Sequence, residues 1–257
     1  KILPPILKSI SYCELIKFNF TPGAIARVKN HIYIINNFSS YKLNIKNVKL
    51  EKERNKIFIG GLIFSNDNYI CIGDLYSVHV VYSLKMEMIK TIYIRFPSNL
   101  VIDNNINILI GTGDKIHIYN LEGKLIRSWN LSNHLYKNHQ YRDIACNESE
   151  IFVLENDMKY VYVFSYKGEL ITSWSRFWID KSGNYWSPLK ITTFRNFVFI
   201  TDFKNNKIQT FTPYDKLICE YEHDELRGAK HMLFVGDYVY VNKLSEEEIV
   251  KCRLIFD

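Results

Sequence analysis

Three short strings recur along this chain: Gly-Lys-Leu-Ile at 123–126, Gly-Glu-Leu-Ile at 168–171 and Asp-Lys-Leu-Ile at 215–218. Each follows alternating apolar segments and opens a further strand that closes on a large side chain: Trp129, Trp174 or Tyr221. Self-similarity of this kind constrains the fold more than composition does, because it marks an architecture built from stacked copies of one unit. Gly or Asp permits the turn and Leu-Ile starts the outer strand. The closing aromatic is then placed between neighbouring sheets.

The clearest copy is 197–221, FVFITDFKNNKIQTFTPYDKLICEY. Its first segment alternates and is rich in β-branched and aromatic residues, which suit a pleated, half-buried strand. Asn205 and Asn206 make a polar turn, and Pro213-Tyr214-Asp215 makes the next. With the short segment after Ser187-Pro188, the unit is four strands. Other copies begin at His31, Tyr69, Ile106, Ile151 and Tyr238. Their third-strand anchors Tyr82, Tyr119, Phe164, Phe211 and Cys252 recur at roughly 40–45 residues, the range of propeller blades.

The copy at Tyr238 stops before its last strand, while Cys13–Phe18 matches the outer-strand string GELITSW and has no unit of its own. Letting this first strand complete the last unit closes a ring and removes exposed sheet edges. A solenoid would need capping repeats instead. The lead-in segments 21–25, 96–100 and 187–191 each carry a proline. With Asp202, Asn205, Asn206, Ile208 and Phe211 in the clearest copy, the pattern resembles NHL-type repeats. The resemblance implies a six-bladed β-propeller used mainly for protein or RNA binding, and related six-bladed rings include lactonases and lyases. The expectation is therefore an all-β, six-bladed β-propeller of four-stranded antiparallel blades. It forms a single domain over residues 1–257, closed by the N-terminal strand. The first residue is Lys rather than Met, as in a piece of a longer chain.

Eleven glycines and six prolines in 257 residues exclude collagen-like and low-complexity classes. The net charge of +6 is compatible with an acidic or nucleic-acid partner, but heavy use of Ile, Lys and Asn fits an AT-rich coding sequence, which would give the same charge without selection for binding. No apolar run is long enough to span a bilayer, and no signal peptide is recognisable. Five cysteines without a CxxC read as reduced, mostly buried residues of an intracellular, cytoplasmic protein.

In a propeller, the blade-to-blade crossovers and the turns between second and third strands share one face. The sequence places Arg95, Tyr136, Lys137, Tyr141, Arg142, Arg176, Trp178, Tyr185, Trp186, Lys204 and Arg227 there as candidate binding residues. Two crossovers, 130–142 and 175–188, are long, and long loops on a rigid scaffold commonly carry binding. The favoured role is a non-enzymatic, monomeric scaffold for a protein or peptide, with no cofactor and no membrane contact. Basic residues interleaved with aromatics suit RNA or another anionic ligand as the alternative, although Glu246-Glu247-Glu248 on the same face argues against a uniformly basic surface. A second alternative is a metal-dependent hydrolase or lyase using the central cavity, with Asn99, Asp143 and Glu225 as candidate ligands. His134 and His139 lack a zinc-ligand spacing. His31, His79, His117 and His231 lie in or beside strands and read as packing or surface residues.

Overall fold

A computed structural model of the chain describes all residues except 1–5, 20–21, 23, 29–30, 36–39, 45–48, 53–61, 67, 83–86, 104, 134–140, 156–159, 176–184 and 244–246. The chain opens with β1 (Leu7–Lys17). Blade 1 follows as β2 (Ala24–Val28), β3 (His31–Ile35), β4 (Ser40–Asn44) and β5 (Lys49–Lys52). Blade 2 is β6 (Leu62–Ser65), β7 (Tyr69–Gly73), β8 (Ser77–Tyr82) and β9 (Glu87–Tyr93). Blade 3 is β10 (Asn99–Ile102), β11 (Ile108–Thr112), β12 (Lys115–Tyr119) and β13 (Leu125–Asn130). Blade 4 is β14 (Tyr141–Cys146), β15 (Glu150–Glu155), β16 (Tyr160–Ser165) and β17 (Leu170–Ser175). Blade 5 is β18 (Pro188–Phe194), β19 (Phe197–Asp202), β20 (Lys207–Phe211) and β21 (Leu217–Glu222). Blade 6 is β22 (Ala229–Val235), β23 (Tyr238–Lys243) and β24 (Glu248–Phe256), completed by β1 in the order β1-β24-β23-β22.

All six sheets are four-stranded and antiparallel, so the six-bladed propeller expected from the repeats is the fold. β1 pairs with β24 from Leu7–Phe256 to Lys17–Glu248. The closing strand is thus longer than the Cys13–Phe18 match suggested. Among the described residues, no helix is long and apolar enough to cross a membrane.

The turn residues behave as their chemistry dictates. Gly123, Gly168 and Asp215, the first residues of the three recurring strings, have φ of 76, 84 and 73°. Glycine has no steric objection to this left-handed region, and Asp tolerates it better than most residues. Burial is greatest in the middle of the blades: every residue of β15 is buried, the innermost β18 and β22 are mostly half-buried where they line the cavity, and β13 is exposed along nearly its whole length. The core is a series of layers between adjacent blades. One layer packs Phe152, Trp174, Ile191 and Phe211 between blades 4 and 5, and another packs Ile10, Phe199, Phe234 and Val250 between blades 5 and 6. Trp129 and Trp174 lie between blades as expected, with ring centroids 6.3 Å from Phe164 and 5.0 Å from Phe211. Three of the five cysteines are buried, Cys219 is half-buried, and Cys13 is exposed.

Candidate functional site

The innermost strands β2, β6, β10, β14, β18 and β22 surround a central cavity of about 700 Å³. Side chains tie these strands together around it. Asn99 Nδ2 donates to the Arg142 carbonyl at 3.1 Å, joining blades 3 and 4. The Asp143 carboxylate accepts from Ile191 N at 2.9 Å and from Lys190 Nζ at 3.1 Å, joining blades 4 and 5. Asn242 Nδ2 donates to the Pro22 carbonyl at 3.4 Å, joining blades 6 and 1.

The ring is not uniform. In blades 4, 5 and 6 the innermost strand skips one residue against its neighbour at the crossover end: between Tyr141 and Asp143, Pro188 and Lys190, and Ala229 and His231. Over the described residues, blades 1, 2 and 3 pair there without a skip. A β-bulge of this kind leaves one extra residue, here Arg142, Leu189 or Lys230, and re-aims the side chains around it. Asp143, Lys190 and His231, the residues just after the bulges, all line the cavity.

The electrostatics follow from this crowding. Burial raises the Asp143 pKa despite Lys190 and the Ile191 N–H. Burial, together with the charge of Lys190, lowers that of Lys230. Burial, with Lys190 and Lys230, holds His231 well below the usual imidazole range. Its ring is therefore uncharged at neutral pH. His231 N is bonded to Asn242 Oδ1 at 2.9 Å, which fixes the bulge.

The sequence-derived candidates separate into three groups. Arg95, Arg142, Tyr185, Lys204 and Arg227 are exposed. Tyr141 and Trp186 are buried rather than on the surface: they are 7% and 5% exposed and belong to inter-blade packing. The Tyr141 hydroxyl is hydrogen-bonded to Ser98 Oγ at 2.5 Å, and burial pushes its pKa up to about 12. Tyr136, Lys137, Arg176 and Trp178, with His134 and His139, lie outside the described residues. The proposed metal ligands do not converge. Asn99 and Asp143 are engaged in the inter-blade bonds above, and Glu225 pairs with Lys243 at 3.5 Å. Among the described residues, no three His, Cys, Asp or Glu side chains form a metal-binding group.

No protein-family profile matches the chain, and no curated protein matches it either. Solved structures do. Virginiamycin B lyase from Staphylococcus aureus superposes with a TM-score of 0.67 at 14% identity, covering 96% of this chain and 100% of the lyase. A streptogramin B lyase gives 0.65 at 12% identity, covering 96% and 98%. The computationally designed Ika8 protein gives 0.55 at 15% identity, covering 91% of this chain and 71% of Ika8. The likeness is one of fold. At these identities it supports the six-bladed propeller and leaves the NHL resemblance without independent support, and two enzymes and a designed protein share the architecture.

A second feature lies at the junction of blades 2 and 3. Leu75 and Tyr76, in the turn between β7 and β8, and Phe96, in the crossover from β9, are 62, 62 and 61% exposed. The Tyr76 and Phe96 ring centroids are 6.1 Å apart. Phe96 N donates to the Leu75 carbonyl at 2.8 Å and Ile94 N to the Tyr76 carbonyl at 3.0 Å, tying crossover to turn. Asp74 fixes the turn by accepting from Tyr76 N and Ser77 N, both at 2.8 Å. Phe96 itself has φ 52°, an unfavourable conformation for a bulky side chain.

Proposed function

We propose that this propeller is an interaction module that binds a protein or peptide through its crossover face, at Leu75, Tyr76 and Phe96. The observation that carries the reading is Phe96. A large apolar side chain is exposed, is held there by backbone bonds, and occupies the left-handed region. That conformation costs about 1 kcal/mol or more without helping the core. Strain of this kind is concentrated at functional sites. Exposed aromatics with a neighbouring Arg, here Arg95, match the composition of binding hot spots.

The test is selection of a random peptide library on immobilised protein, with a Tyr76→Ala/Phe96→Ala double variant as the counter-target. The reading expects enriched peptides that bind wild type and lose at least about tenfold in affinity on the double variant. No enrichment, or equal binding to both proteins, would remove it. Phe96→Gly should lose the same binding while melting at a higher temperature, because it relieves the backbone. RNA replaces the peptide as partner if binding to a random RNA pool falls steeply with salt and requires Arg142 and Lys204.

A second reading, lyase or hydrolase chemistry in the central cavity, has one observation in its favour: His231 lines the cavity with an uncharged imidazole, the form in which it can accept a proton. Incubating the protein with virginiamycin B and following the intact compound by mass spectrometry tests the nearest version of it. Consumption that is lost in His231→Ala would support it, and an unchanged compound would count against that substrate.

A further inference from the structure

The bulged arc of the central channel gathers like charges. Lys190 has Asp143 as its counter-ion. Lys230, on the neighbouring innermost strand, is half-buried and has no hydrogen-bond or ion-pair partner among the described residues. It lies within electrostatic reach of both Lys190 and His231. The His231 imidazole likewise has no hydrogen-bond partner among the described residues. Two ammonium groups sharing one carboxylate repel each other, and partial burial removes the water that would screen them. Buried charges are ordinarily paired, and Lys190 and Lys230 have only the Asp143 carboxylate between them among the described residues.

We propose that this site binds a small ligand through an anionic carboxylate or phosphate group, seated between Lys190 and Lys230 and hydrogen-bonded by His231. Three features converge on it. Bulges on three successive blades put Asp143, Lys190 and His231 side by side on the cavity wall, with Lys230 the bulged residue next to His231, whereas Arg27 and Asp103 line the cavity from the unbulged strands of blades 1 and 3. The adjoining cavity, about 700 Å³, falls within the range of pockets that enclose small molecules. A neutral imidazole offers an N–H donor to an oxyanion without adding a third positive charge. The ligand would complete the ion pair that Lys230 lacks, and charge-assisted bonds of this type are the stronger class of hydrogen bond. The site lies on blades 4 to 6, apart from the aromatic patch of blades 2 and 3, so either proposal can fail without the other.

The experiment is a thermal-shift titration with sodium phosphate and, separately, sodium acetate, at ionic strength held constant with sodium chloride. It compares wild type, Lys230→Met and Lys124→Met, the last altering an exposed lysine in the β12–β13 turn of blade 3, outside the arc. The expected result is a saturable rise in Tm for wild type and Lys124→Met, weakened about tenfold or more in Lys230→Met, as loss of one charge-assisted bond implies. Response to phosphate alone identifies a phosphate ligand, and response to acetate alone a carboxylate ligand. In anion-free buffer Lys230→Met should melt above wild type, because it removes an uncompensated charge. The proposal is overturned if neither anion gives a saturable shift, if Lys230→Met responds like wild type, or if Lys230→Met melts below wild type without anion.

Discussion

Gly168 lies against the face of the Trp129 indole: a Cβ on Gly168 would stand 2.9 Å from Trp129 Cδ2 and 3.0 Å from Cγ. The turn of blade 4 therefore carries the aromatic wedge of blade 3, and φ 84° at Gly168 is the second reason for glycine there. Gly113 separates the two effects, since it has φ 55° and nothing within 4 Å of its Cβ position. Gly168→Ala should cost about 3 kcal/mol, combining left-handed strain with overpacking. Gly113→Ala should cost about 1 kcal/mol from strain alone. Urea unfolding of both variants measures the difference, and equal losses would show that the indole moves aside freely.

That pair also shows what could be read from the chain. The Gly-x-Leu-Ile turn is local chemistry, visible as a string, and so are the Asp-Lys-Leu-Ile turn and the unpaired strand near Cys13. The fold followed from them because each fixes a backbone conformation or leaves an edge to be covered. The bulges at Arg142, Leu189 and Lys230 left no such trace. An extra residue in a hub strand does not interrupt any visible alternation, because β18 and β22 are half-buried along most of their length and show no contrast between faces. The burial of Tyr141 and Trp186 is hidden for a related reason. Loop aromatics are equally suited to solvent and to an inter-blade layer, and only the packing decides which. His231 reads as a strand histidine in the sequence, and the one trace of its place is that Lys190 and Lys230-His231 stand at the same point of their copies.

Ring closure by β1 predicts a hierarchy of damage. Leu7 and Ile10 are 1 and 7% exposed and pack with Val250 and Leu254, whereas Lys17 is exposed. Ile10→Ala should cost about 3 kcal/mol as a core truncation, and Lys17→Ala about 0.5 kcal/mol or less. Removing residues 1–17 bares the whole β24 edge, and an unpaired edge templates association. Size-exclusion chromatography should then show aggregates, with a broadened melting transition. A truncated protein that stayed monomeric and melted as wild type would contradict closure.

His231 gives stability a defined dependence on pH. Unfolded imidazole titrates near 6.5, and in the folded protein burial with Lys190 and Lys230 lowers the value well below that. Between the two values the unfolded chain binds the additional proton. The contribution of His231 is therefore complete above about pH 7 and is lost as pH falls through 6.5 towards the folded value. Asp143, facing Lys190, acts in the opposite sense. Its raised pKa means that the folded chain takes up the proton before the unfolded one, so this group adds stability as pH falls through its folded value. His231→Gln should consequently flatten the fall in Tm between pH 7 and pH 5 measured in anion-matched buffers. An unchanged slope would mean that the imidazole is hydrated in the folded state.

The Asp143–Lys190 pair joins blade 4 to blade 5, and its two partners should not be equivalent to remove. The side chains are 9 and 18% exposed, and the same carboxylate accepts from Ile191 N. Asp143→Ala leaves Lys190 beside Lys230 with no counter-ion and leaves a buried backbone donor without its acceptor. Breaking a buried pair from one side costs about 3–5 kcal/mol. Lys190→Met leaves Asp143 with the Ile191 bond and removes the repulsion on Lys230, so its cost should be smaller, about 1–2 kcal/mol. Because an apolar replacement of both partners abolishes the unpaired charge, Asp143→Ala/Lys190→Met should be more stable than Asp143→Ala alone. Urea unfolding of the four proteins completes the cycle. Additive losses would show that the carboxylate stabilises the ring through Ile191 alone and that the ion pair contributes nothing to it.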